Sequence, residues 1–199
     1  MRISDKNGIR RITIDPGEYY ACRETAIIST LLGSCVSTCL YDPVTRVIGM
    51  NHFLLANKRY ARNMPVIESE AGRYGIHAME LLINEMLKQG AQLRNLKAKV
   101  FGGGDVLRYY QGGRDSFFFV GEINCRFVRE FLRNEKIPVT ASDLGRDYGR
   151  VVHFSSADFS AYMKKISHSQ DVQVVNSEHR YWQQSIDRHE HEKDEIQIW

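Results

Sequence analysis

The chain has 199 residues, 43% of them hydrophobic, and a formal net charge of +3, which suits one globular domain able to bury roughly 70% of its unfolded surface. Its four cysteines, Cys22, Cys35, Cys39 and Cys125, are too few for a disulfide framework and form no C-x-x-C pair; no apolar run is long enough to span a membrane, and M-R-I-S-D-K-N-G-I-R-R lacks the apolar core of a signal peptide. A disulfide-built secreted protein and a membrane-spanning helix are therefore not expected, and a reducing, cytoplasmic location is.

Charge is unevenly spread. Residues 167–199 hold three Lys/Arg against seven Asp/Glu, whereas the preceding 166 hold 24 against 17, so a basic body carries an acidic tail. No Lys/Arg run is interleaved with aromatic residues, and nucleic acid is not an expected partner.

In chain order, residues 12–14 form the first strand candidate, closed by the turn signal Asp15-Pro16-Gly17, and residues 18–22 form a second. Residues 26–32, with β-branched Ile27, Ile28 and Thr30, read as a strand that delivers the chain to Gly33. Two apolar runs, 36–41 and 47–53, flank Asp42-Pro43-Val44-Thr45, which has Asp and Pro at the first two positions of a type I turn. That pattern is a β-hairpin. A loop of two or four residues sets Tyr41 opposite Arg46 and, in the same register, Cys35 opposite His52 with Cβ atoms about 4.5 to 5.5 Å apart. A loop of three or five residues shifts the register by one and makes that pair diagonal.

Residues 57–69 are mostly polar, contain Pro65 and lack a period; they read as a long loop beside His52, either the rim of a site or disordered. Residues 69–89 form the clearest helix: Met79, Leu82, Ile83 and Met86 share a face, Gly75 and Ala78 extend it, and Gly90 stands where a C′ residue belongs. His77 on this helix is expected at the surface. Residues 96–101 return to strand. The following Gly102-Gly103-Gly104 has neither the G-K-S/T ending nor the G-x-G-x-x-G spacing of a phosphate loop, so it reads as a tight turn.

Asn124 is expected to cap a second helix over 125–136, whose stripe is Phe127, Val128, Phe131 and Leu132, with Cys125 in the core. Residues 137–142, 150–154 and 161–166 are the last strand candidates. The tail holds His168, His179, His189 and His191, but H-E-H-E is not the helical H-E-x-x-H zinc pattern. The expected division is a domain over 1–166 and an acidic, flexible extension over 167–199, with no metal site.

A cysteine beside a histidine has a particular chemical use. The thiolate is the nucleophile, and a neighbouring imidazolium lowers the thiol pKa below its free value of about 8.5. Gly33-Ser34 ahead of Cys35 suggests a strand-entry bend whose backbone N–H groups face a developing oxyanion. The plainer reading is a small buried cysteine unrelated to the histidine.

The segments P-G-E-Y-Y (16–20), T-L-L-G-S-C-V (30–36), G-M-N-H-F (49–53), R-Y-G-I-H-A-M-E-L-L-I-N (73–84) and K-V-F-G-G-G (99–104) resemble the chemoreceptor glutamine deamidase family, CheD. The likeness continues more loosely through I-N-C-R-F-V (123–128) to G-R-V-V-H-F (149–154). This resemblance implies an α/β fold, a layered sandwich with strands packed inside and helices outside, related to the cysteine-hydrolase fold of deamidating toxins. It further implies hydrolysis of glutamine side chains to glutamate on methyl-accepting chemotaxis receptors, with Cys35 as nucleophile, His52 as base and no cofactor. The family's third residue, a hydroxyl upstream of the cysteine, falls on Ser29 in an ungapped match and on Thr30 if the loop before Gly33 shifts. Gly33, Ser34, Asn51, Phe53, Gly102 and Gly103 are taken as the substrate-binding set. A CheC-type phosphatase is the other implied partner, and a regulatory binding module acting through that phosphatase or the receptors is the alternative reading.

Overall fold

In the computed structural model, residues 1–55, 66–106, 120–166, 176–178, 180, 181, 183 and 184 are described. Among these, β1 (Arg2–Lys6), β2 (Ile9–Thr13), β3 (Tyr19–Cys22), β4 (Ala26–Leu32), β5 (Val36–Tyr41) and β6 (Ile48–Asn51) precede the first long helix, α1 (Glu70–Lys88). Then come β7 (Lys97–Gly102), α2 (Val120–Asn134), β8 (Val139–Leu144), β9 (Arg150–Ser155) and β10 (Ala161–Lys165). The strands form two sheets, ordered β1-β2-β4-β9-β10 and β3-β6-β5-β7-β8. Pairing is antiparallel except for β2 with β4 and β7 with β8.

The layering follows from the two-residue period of strands. Every residue of β5 is buried, so both of its faces are covered. Cys39 and Tyr41 join Ile12, Ile28 and Phe154 in a core between the sheets. Val36 and Leu40 instead join Met79, Leu82, Phe127 and Phe131 beneath the helices. The result is a sheet, a second sheet and a helical layer, with separate apolar cores in the two interlayer spaces.

Local signals account for α1. Ser69 Oγ accepts the backbone N–H of Gly72 at 3.0 Å, and Gly90 takes φ 99° just beyond the C-cap. Gly75 lets the helices approach closely, since a Cβ there would lie 2.4 Å from Phe127 Cζ.

Three features differ from the sequence reading. The exposed polar strand β1 was not foreseen, because R-I-S-D-K has no buried face to pattern it. Helix α2 begins at Val120, which puts Asn124 inside the helix rather than at its cap. The hairpin pairs Tyr41 with Ile48, not with Arg46. Its turn is wider because Asp42 accepts the N–H groups of Val44 (2.8 Å) and Thr45 (3.1 Å), while its own N–H donates to Val47 at 2.9 Å and Arg46 adopts φ 65°. Most of the expected 57–69 loop lies outside the described residues; the part that is described, Val66–Glu68, forms a short 3₁₀ turn.

Candidate active site

Cys35 ends the connection between β4 and β5, and His52 directly follows β6. Val36 and Phe53 exchange backbone hydrogen bonds of 3.0 and 2.9 Å, so Cys35 and His52 sit diagonally on the face turned toward the first sheet. The wider turn moves the register by two residues, and an even shift keeps both side chains on one face. The Cys35 Sγ, a His52 ring nitrogen and a Glu178 carboxylate oxygen lie within 4.8 Å of one another. All three side chains are buried.

The histidine's tautomer follows from its partners. Thr30 Oγ1 donates its single proton to the carbonyl of Ile14 at 2.8 Å. At the 2.7 Å contact with His52 Nδ1, it must therefore accept. The proton sits on Nδ1, and Nε2, buried with no hydrogen-bond partner among the described residues, keeps a bare lone pair. The His52 backbone is clamped as well: its N–H donates to Glu18 at 2.9 Å, and its carbonyl accepts from Gly17 at 2.7 Å. Ser29, the neighbour of Thr30 on β4, points to the other side and bonds His153 Nδ1 at 2.7 Å. The structure thus brings Thr30, and not Ser29, to His52.

Three consecutive N–H groups face the same space. The carbonyls of Gly33, Ser34 and Cys35 are all engaged behind the loop, by Gly104 N–H (2.7 Å), Asn124 Nδ2 (2.9 Å) and Gly103 N–H (2.7 Å) respectively. With the carbonyls held back, the amides converge forward as an anion-binding nest. A Glu178 carboxylate fills it. One oxygen accepts from Gly33 N–H at 2.7 Å and Cys35 N–H at 3.2 Å, and the other from Ser34 N–H at 2.6 Å and Ser34 Oγ at 2.7 Å. Cys35, His52 and Glu178 are also the donors closest to surrounding a cation among the described residues. The two hydrogen bonds on each Glu178 oxygen mark it instead as an anion held by N–H and O–H groups.

Burial pushes the Cys35 thiol well above its ordinary range, and the charge of Glu178 and a hydrogen bond to it add to the effect. Burial also pushes the His52 imidazole down to about 3. With Glu178 in place the pair is a neutral thiol beside a neutral imidazole, the reverse of the expected thiolate beside an imidazolium.

The expected substrate-binding residues divide. Gly33 and Ser34 belong to the nest. Gly102 and Gly103 lie beneath it: Gly102 takes φ 116°, and a Cβ there would come within 2.1 Å of the Cys35 carbonyl oxygen. Asn51 and Phe53, which flank His52 and so face the helices, do not reach the site. Asn51 Oδ1 accepts Thr38 N–H at 2.9 Å, and Phe53 meets Phe127 edge-on at 5.7 Å. Two residues were not anticipated. Asn124 reaches from α2 to hold both Ser34 O and Leu55 N–H, each at 2.9 Å, thereby tying the Cys35 loop to the segment that follows His52. The sequence reads its side chain as a helix cap, and only the earlier start of α2 at Val120 turns it toward these partners. For Glu178, one of seven acidic residues in the tail, no local signal exists.

Comparison with known proteins gives the family. The profile of the family described as CheD chemotactic sensory transduction matches residues 54–165, a span that opens just past His52. The protein named "Probable chemoreceptor glutamine deamidase CheD 1" of Geobacter sulfurreducens is 46% identical over 199 residues, 100% of this chain and 98% of its own length. The chain belongs to the CheD family. A CheD relative of Shewanella oneidensis, "Probable chemoreceptor glutamine deamidase CheD 2", is 45% identical over 176 residues, covering 87% of each chain. The CheD of Methylobacillus flagellatus, likewise named a probable chemoreceptor glutamine deamidase, is 43% identical over 167 residues, 83% of this chain and 79% of its own. The Geobacter match runs beyond residue 166 and through the tail.

Proposed function

We propose that the protein is a chemoreceptor glutamine deamidase that hydrolyses glutamine side chains to glutamate by a Cys35–His52 thioester mechanism. The observation that carries this reading is the bare, buried Nε2 of His52 beside Cys35 and the three-amide nest. His52 Nε2 takes the thiol proton, and the thiolate attacks the γ-carboxamide carbon. The oxyanion is received by the N–H groups of Gly33, Ser34 and Cys35. Its collapse breaks the C–N bond, with His52 returning the proton to the departing ammonia. Water, deprotonated by His52, then opens the thioester, leaving glutamate and the thiol. Thr30 is the positioning residue that holds Nδ1–H and so keeps Nε2 free.

The names of the CheD relatives and the family resemblance supply the substrate: glutamines of methyl-accepting chemotaxis receptors, approached from the cytoplasm. A CheC-type phosphatase is a regulatory partner on the resemblance alone. No helix among the described residues is long and apolar enough to cross a membrane. The test is ammonia release and glutamine-to-glutamate conversion on a purified receptor cytoplasmic fragment. Wild type should convert it and Cys35→Ala should not; equal conversion by both would remove Cys35 from the mechanism.

A further inference from the structure

Glu178 has no step in that reaction, yet its side chain is 1% exposed and occupies the place where the reaction happens. Residues 176–178, 180, 181, 183 and 184 are helical. On this segment Tyr181 stands one helical turn from Glu178, on the same side. Tyr181 packs against the core between the sheets and lies so close over Gly17 that a Cβ there would be 2.4 Å from its Oη. Gly17 is the residue whose N–H holds the His52 carbonyl. The segment is therefore anchored at both halves of the site, Glu178 on the Cys35 loop and Tyr181 beside the His52 clamp.

The chemistry of the plug is specific. A glutamyl side chain with its carboxylate against Cys35 is what deamidation of a glutamine leaves behind. Its oxygens take the N–H groups that the oxyanion needs, so no tetrahedral intermediate can form while it is bound. We infer that the C-terminal segment is a built-in product mimic: Glu178 occupies the subsite of the substrate's carboxamide head and holds the enzyme to a low basal rate, set by how often the segment is displaced. This inference rests on the deamidase reading for the identity of the ligand, and on geometry for the occlusion. It also assigns the subsite: the head of the substrate side chain binds the amides of Gly33, Ser34 and Cys35 and the hydroxyl of Ser34. The neutral, buried state of Cys35 described above accords with a thiol shielded by the plug.

Two substitutions outside the reacting groups test it in the full chain, Glu178→Ala, which empties the nest, and Tyr181→Ala, which loosens the second anchor. The first readout is alkylation of Cys35 by iodoacetamide near neutral pH, followed on its peptide by mass spectrometry. The peptides of Cys22, Cys39 and Cys125, all buried, report whether the fold is intact. The second readout is ammonia release from the receptor fragment. Both substitutions should speed Cys35 alkylation by about tenfold or more, as expected when an occluded population becomes open, leave the other cysteines protected and raise the deamidation rate. Unchanged Cys35 alkylation in both variants would overturn the occlusion. A fall in deamidation with the fold intact would equally overturn the product mimic, because Glu178 would then belong to the catalytic apparatus. Faster alkylation with no deamidation by any variant would reject the deamidase reading while upholding the occlusion.

Discussion

Thr30 on β4 and His52, just past the end of β6, share a 2.7 Å hydrogen bond across the space between the two sheets. The bond orders the site only because Thr30 also spends its proton on Ile14 O; a hydroxyl with both roles fixes the imidazole's tautomer as well as its orientation. Thr30→Val keeps the shape and removes both bonds, so kcat should fall by about two orders of magnitude, as for a misoriented or mis-tautomerised base. Thr30→Ser should restore most of the rate, and Ser29→Ala should leave it near wild type. Steady-state kinetics on a receptor fragment check all three; a low rate in Ser29→Ala with a normal rate in Thr30→Val would reverse the assignment.

His52 makes stability depend on pH. Its folded-state pKa, pushed down to about 3 by burial, lies below the unfolded value of about 6.5. Between these values the unfolded chain binds the extra proton, so stability is complete above about pH 6.5 and declines as pH falls toward 3. At pH 5 the loss should be roughly 2 kcal/mol relative to pH 7. His52→Gln abolishes this part of the pH dependence and should lower deamidation by roughly 10²- to 10⁴-fold. Urea unfolding of both proteins at the two pH values measures the difference, and an identical pH dependence would show that His52 does not titrate this way.

Asn124 joins the two halves of the site through Ser34 O and Leu55 N–H. Asn124→Leu leaves both groups buried and unpaired, a loss of about 2 to 4 kcal/mol in stability. The Cys35 loop loses its anchor to α2, so kcat should drop by about tenfold or more while KM changes little, since a misplaced reacting group is felt in the transition state. Kinetics below the variant's own melting temperature separate the two effects. A change confined to stability would make Asn124 a packing residue.

Some of this molecule is written locally. Strands β4 and β5 fall on the ranges read from their β-branched and apolar runs, and α1 is announced by its apolar face and Gly90, because strand period, helix period and caps act between near neighbours. Cys35 and His52 share a face for the same reason: an even register shift leaves side-chain direction unchanged. The alternation also puts Asn51 and Phe53 on the face opposite His52, although their place in the N-H-F motif suggested the site. Tertiary structure decided the rest. The register of the hairpin depends on how Asp42 folds its own turn, and the choice of Thr30 over Ser29 depends on which face of β4 meets the second sheet. The mid-helix Asn124 finds its partners on two separate connections, before β5 and after β6. Glu178 bonds residues more than 140 positions earlier in the chain. Contacts at that separation leave no mark in a local window, since nothing about one acid in an acidic tail distinguishes it until the fold brings three free amides within its reach.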